Sequence, residues 1–205
     1  MLVLASASPR RRELLTQAGY TFTVHPAHIP EDPYPDEDPT AYVLRLARQK
    51  AETVFAEITK ASASEKRASA APQVLGADTT VTLDSHILGK PESPADASRM
   101  LRLLSGRTHR VLTGVALVTA QSTQTAAEST IVHFLTPTDE EIAAYVASGD
   151  PMDKAGAYAI QGYAARWIPR IEGCYFNVVG LPISLVCSLL NAARVTSAAA
   201  AAPPD

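Results

Sequence analysis

Leu2-Val3-Leu4-Ala5-Ser6-Ala7-Ser8-Pro9-Arg10-Arg11-Arg12-Glu13-Leu14-Leu15 opens the chain. The apolar run reads as a short buried strand. Pro9 suits the first position of a helix, with Ser8 placed to cap it. Leu14, Leu15 and Ala18 continue that helix, and Gly19 stops it. Arg10, Arg11 and Arg12 therefore fall in the first helical turn, where the macrodipole is already positive. Cations there cost about 0.3–1 kcal/mol each. Two readings follow: an anion such as phosphate bound at the helix end, or three solvated arginines on a surface helix.

The remaining pattern is α/β. Thr21-Phe22-Thr23-Val24-His25 alternates as a second strand, and residues 26–39, rich in proline and acids, read as an exposed acidic loop. A helix is expected over residues 40–58, its apolar stripe built from Val43, Leu46, Ala47, Ala51, Val54 and Ile58. Residues 59–72 read as a surface excursion. Strands are expected at 73–83, with an interruption at 76–80, and at 86–88, 108–119 and 125–136, the last two as an antiparallel pair. Helices are expected at 94–104, after the cap at Thr138, and from Pro182 to about Arg194. Residues 157–161 and 167–171 read as strands. The Ala- and Pro-rich tail, 196–205, is expected to be disordered.

Composition narrows the function classes. The chain has 205 residues, a net charge of −3, 46% hydrophobic and 19% charged residues, which fits one soluble globular domain. That charge gives no reason to expect nucleic-acid binding. No apolar run reaches the ~18 residues of a membrane span, and the N-terminal order of charge and apolar run is not that of a signal peptide. Cys174 and Cys187 form no C-x-x-C pair and read as reduced, cytosolic thiols.

Several residues stand out. Asp78 lies inside an apolar strand beside Gly76 and Ala77, as a site acid with room for a ligand or as a hydrogen-bonded strand-end residue. Lys50 falls on the inward stripe of its helix, either snorkelling out or pointing into a cavity. Lys90 sits in the rigid Gly89-Lys90-Pro91 turn, and Glu31 is one acid among several in its loop. His109 reads as a structural or surface histidine. Together the cations and carboxylates form an inventory for a polyphosphate and a divalent metal. Walker, G-x-G-x-x-G, G-x-S-x-G and H-E-x-x-H patterns are absent.

These residues fall in seven motifs that resemble the Maf family of nucleoside triphosphate pyrophosphatases, also called septum-formation inhibitors. They are Ser6-Ala7-Ser8-Pro9-Arg10-Arg11, Gly76-Ala77-Asp78-Thr79, Gly89-Lys90-Pro91, Ser105-Gly106-Arg107-Thr108-His109, Asp153-Lys154-Ala155-Gly156-Ala157-Tyr158, Ile160-Gln161-Gly162 and Asn177-Val178-Val179-Gly180-Leu181-Pro182. They occur in family order across nearly the whole chain. Two departures are Cys174, where a serine is common, and a longer excursion at 59–72.

The resemblance implies an inosine-triphosphate-pyrophosphatase-like fold, an elongated central mixed sheet with flanking helices and a cleft between two lobes. It implies one domain over residues 1–195 and a cytoplasmic homodimer. It matches Asp78 to the proton acceptor, and Ser8, Arg11, Lys50 and Lys90 to phosphate-binding positions. It matches Arg10, Thr79 and Gln161 to those that mark the dTTP/UTP subfamily. Glu31 and Asp78 would hold a divalent cation, Mg²⁺ before Mn²⁺ or Co²⁺. The implied reaction is a nucleoside triphosphate plus water giving the monophosphate and pyrophosphate. A regulator of cell division that binds nucleotide without turnover is the alternative, and a nucleoside monophosphate phosphatase is a second.

Overall fold

The computed structural model describes residues 1–64, 71–84 and 86–200. Strand β1 (Leu2–Leu4) leads into α1 (Pro9–Gln17), whose first turn accepts Pro9 and is capped by Ser8. β2 (Phe22–Val24) follows, and then a loop without helix or strand to α2 (Pro39–Ser64). The longest strands, β3 (Gln73–Leu83), β5 (Thr108–Val118) and β6 (Thr123–His133), form an antiparallel core, with β4 (His86–Leu88) and α3 (Pro94–Leu104) between β3 and β5. After β6 come α4 (Asp139–Ala147), short 3-10 turns, β7 (Arg170–Glu172), α5 (Tyr175–Val179) and α6 (Ile183–Ala200).

The seven strands make one mixed, open sheet, six of them in the order β2-β1-β3-β5-β6-β7 and the seventh, β4, paired with β3; it is parallel at β2-β1-β3 and antiparallel elsewhere. The α/β expectation holds. β1 pairs with β3 only as far as Leu75, and β4 pairs with the same edge of β3 only from Val81 onward. Residues 76–80 therefore have a strand on one side alone, and Asp78 is at the middle of that gap.

Alternation sorts β3 between two faces. Val74, Gly76, Asp78 and Thr80 face α2. A Cβ on Gly76 would sit 2.2 Å from the Ala47 carbonyl, and one on Gly114 2.2 Å from that of Val43. Two bare backbones thus let α2 lie directly on the sheet. Gly114 is the cross-strand partner of Asp78, so the helix comes closest where the acid is. On the other face, Leu75 and Ala77 join one core with α1 and α6, while Val81 and Leu83 join another with α3 and α4. Thr79 and Thr113, paired across the strands, form a polar break between the two cores.

Several boundaries differ from the sequence reading. β3 is continuous through 76–80, without the expected interruption, because β5 pairs with it throughout that stretch. α2 runs to Ser64 rather than 58, because Lys60, Ala61 and Ala63 favour helix and extend it without a breaker. The rest of the expected excursion, 65–70, lies outside the described residues. α6 continues to Ala200 through the alanines that the tail reading took as disordered, and 201–205 lie outside the described residues. Residues 157–161 do not form a strand. Gly156 at φ +67° and Ala157 at φ +61° break the extended backbone, and Tyr163–Trp167 is a 3-10 turn that shortens the next strand to Arg170–Glu172. The segment before Val178, expected as loop, contains α5. Among the described residues no helix is long and apolar enough to cross a membrane.

Candidate active site

A cavity of about 550 Å³ opens on the unpaired edge of β3 and lies between the two cores. This is the usual size for a small-molecule site. Every residue that the sequence reading gave a site role lines it: Ser8, Arg10, Arg11, Glu31, Lys50, Asp78, Thr79, Lys90 and Gln161.

Its floor is an ion-pair cluster. Lys50 Nζ is 2.6 Å from Asp78 Oδ1 and 2.6 Å from Glu31 Oε1. Lys50 and Asp78 are both buried, at 7% exposure. The lysine therefore points inward and does not snorkel out to solvent. Lys90, exposed on its turn, stands 3.6 Å from Glu31 Oε2. One ammonium thus serves two carboxylates, and their titration differs. Burial holds the Asp78 carboxyl above its ordinary value despite the opposing charges of Lys50 and Arg11. Burial also pushes Glu31 up, but the half-exposed group is carried below its ordinary value by the hydrogen bonds and charges of Lys50 and Lys90.

The three arginines of α1 diverge. Arg12 is exposed. Arg10 lines the cavity and reaches across it, its Nη1 3.6 Å from Asp153 Oδ2 on the 3-10 turn Asp150–Asp153. Arg11 is buried and donates to Gly180 O (2.8 Å), Ala77 O (2.8 Å), Ser6 Oγ (3.2 Å) and Thr79 Oγ1 (2.9 Å). Its guanidinium pairs the Ala77 carbonyl where β3 lacks a neighbouring strand. Burial works against the Arg11 charge, and the fields of Asp78 and Glu31 support it. Ser8 Oγ accepts from Arg11 N at 3.5 Å, which leaves its O–H to donate.

The chain is similar throughout to proteins of one family. A sequence profile described as Maf-like protein matches residues 1–193. A dTTP/UTP pyrophosphatase of Koribacter versatilis (strain Ellin345) is 50% identical over 194 residues, 95% of each chain. One of Moorella thermoacetica (strain ATCC 39073 / JCM 9320) is 51% identical over 193 residues, 92% of this chain and 93% of its own. One of Thermococcus onnurineus (strain NA1) is 46% identical over 189 residues, 92% of this chain and 96% of its own.

The chain belongs to the Maf-like family.

In this Maf-like chain the residues expected at specificity positions differ in freedom. Gln161 is exposed at the rim of the cavity. Thr79 faces away from Asp78, as alternation predicts. Its hydroxyl is shared with Arg11 and with Thr113 at 2.9 Å. Sequence reading missed Tyr42, and it quoted Asp153 and Tyr158 in a motif without giving them a site role; all three line the cavity. Tyr42 precedes Leu46 and Lys50 by whole helical turns, so the stripe that contains Lys50 already pointed to it. His109 is structural: it is buried, with Nε2 2.6 Å from Tyr158 Oη, and desolvation pushes its pKa down to about 4.

Glu31 and Asp78 present carboxylate oxygens to one cationic point, without nitrogen or sulfur ligands. That set fits a hard cation that keeps waters and takes substrate phosphate oxygens. Among the described residues no group of three or more His, Cys, Asp or Glu is disposed to hold a metal unaided.

Proposed function

We propose that this Maf-like protein is a nucleoside triphosphate pyrophosphatase that hydrolyses dTTP and UTP to the monophosphate and pyrophosphate. The observation that carries the chemistry is the convergence of Glu31 and Asp78 on Lys50 at the open edge of β3. The names of the relatives supply the substrate class.

Asp78 takes the proton from the water that attacks the α-phosphorus. Its carboxyl, held above the ordinary range by burial, is a better base than a solvated aspartate. The bond from the α-phosphorus to the bridging oxygen breaks, and the electron pair leaves with pyrophosphate. Lys50, Lys90 and the first turn of α1 face that developing charge. Ser8 donates its O–H to a phosphate oxygen. Glu31 and Asp78 would hold Mg²⁺, with Mn²⁺ or Co²⁺ as substitutes. Such a cation, when bound, neutralises phosphate charge and lowers the pKa of water. Gln161 offers a donor and an acceptor to the O4 and N3–H edge of thymine or uracil, and Arg10 and Thr79 complete that end. The family resemblance also supports a cytoplasmic homodimer that removes unwanted nucleotides.

The deciding experiment is a nucleotide panel with Mg²⁺, read for both monophosphate and pyrophosphate. Equal release of dTMP and pyrophosphate from dTTP is expected. Binding without turnover would favour the regulator, and free phosphate as first product a phosphatase.

A further inference from the structure

Glu31 belongs to a loop, residues 25–38, that has no helix or strand, yet its carboxylate meets Lys50 at 2.6 Å. Something must fix the loop, because an unsupported segment would average that contact away. α2, the helix that carries Lys50, supplies the fixing groups. Tyr42 Oη donates to the Glu31 carbonyl oxygen at 2.8 Å. Arg45 donates through Nε and Nη2 to the two oxygens of Glu37, each at 2.6 Å, and through Nη2 to Asp32 O at 3.2 Å. Its guanidinium also lies over the Tyr34 ring, 4.0 Å from the centroid. Tyr34 N donates in turn to Glu37 Oε2 at 3.0 Å. The Glu37 side chain is only 9% exposed, and Tyr42 is 6% exposed. The loop is therefore held at Glu31 and at the residues that follow it, 32, 34 and 37, by the helix that carries Lys50.

We infer that Tyr42 and Arg45 are positioning residues that hold the Glu31 carboxylate in register with Lys50 and Asp78. This rests on the proposed pyrophosphatase reading for its kinetic readout alone. Neither side chain needs to touch the substrate phosphates. Tyr42 fixes the backbone at Glu31 itself. Arg45 fixes it at residues 32, 34 and 37, using a bidentate fork and a stacked ring that lysine cannot reproduce.

The test uses the full chain with Tyr42→Phe, Arg45→Lys and Glu31→Gln, singly and with the first two combined with the third. Tyr42→Phe keeps the ring and removes one neutral hydrogen bond. It should lower single-turnover dTTP cleavage about two- to tenfold, with little change in KM. Arg45→Lys should lower it more. In the Glu31→Gln background both changes should have much smaller effects, since they act through that carboxylate. Equal factors in both backgrounds would overturn the inference. Hydrogen–deuterium exchange supplies a second readout. Arg45→Lys should speed exchange of peptides within residues 26–38 while leaving β3 and β5 unchanged. Loop exchange equal to wild type would also overturn the inference. Were wild type to release no pyrophosphate from any nucleotide, the functional reading would fall, and the exchange experiment alone would decide the clamp.

Discussion

Replacing Lys50 by methionine isolates the central electrostatic relation of the site. Methionine keeps most of the side-chain length and removes the charge, so the packing of α2 on β3 changes little. Asp78, 7% exposed, then keeps Arg11 as a more distant cation and faces Glu31 without the ammonium between them. Leaving a buried charge without its partner costs about 3–5 kcal/mol. Glu31 is near half exposed, so solvent screens its share, and the lower end, about 3 kcal/mol, applies. With a urea slope of about 2 kcal/mol/M, the unfolding midpoint should fall by about 1.5 M at pH 8. The sign of the pH dependence follows from Asp78. Its folded pKa is raised already and rises further without Lys50. A raised carboxyl contributes stability below its unfolded value, and that contribution is lost as pH rises through the folded value. The deficit of Lys50→Met should therefore be small near the ordinary aspartate value of 3.8 and grow above it. Lys50→Met combined with Asp78→Asn should recover much of the loss, because both members of the pair are then neutral. An unchanged midpoint at pH 8, or a double variant no more stable than the single one, would refute the reasoning.

Asp78→Asn should lower kcat about 10²–10⁴-fold with nucleotide binding partly kept, measured by pyrophosphate release and by equilibrium binding. In wild type the acid limb of kcat/KM, which reports the free enzyme, should lie above pH 3.8, since activity needs Asp78 ionised and burial raises its pKa; a limb below that value would remove it as the base. Gln161→Glu should depress dTTP turnover more than CTP turnover, because a carboxylate would face the thymine O4; an unchanged dTTP-to-CTP ratio would remove Gln161 from base reading. Gly114→Ala should destabilise by about 1–3 kcal/mol or more, since its Cβ would sit 2.2 Å from the Val43 carbonyl and push α2 off the sheet, and thermal melting would reveal it.

The sequence was legible where local chemistry is strong. Ser8-Pro9 announced α1, Thr138 and Glu141 the capping box of α4, and alternation β5 with β6. It was less legible where backbone geometry or long-range contact decides. Nothing local tells that Gly156 and Ala157 take positive φ and dissolve an apparent strand. The site residues were visible singly, through an acid in an apolar strand and a lysine on an apolar stripe. Their meeting at Lys50 needed the close approach of α2 at Gly76 and Gly114. The arginines share one helical turn, yet each goes elsewhere, because Arg11 satisfies a strand carbonyl that only the sheet topology leaves unpaired. Tyr42 shares the stripe of Lys50, but Arg45 meets a coil segment through the Glu37 carboxylate, the Tyr34 ring and the Asp32 carbonyl, contacts that leave no periodic signature.

The interruption along the edge of β3 also bears on self-association. An unpaired strand edge is a template on which another chain can add, and proteins commonly guard such edges with charge or bulges. Here β1 and β4 restrict the vulnerable stretch to a few residues, the buried Arg11 guanidinium occupies the Ala77 carbonyl, and Asp78 and Lys50 set an ion pair beside it. A foreign strand entering that opening would have to displace an arginine and desolvate charges. The groups that make the cleft hospitable to a polyphosphate thus make it hostile to a peptide, so the same polarity that serves chemistry protects the molecule from aggregation.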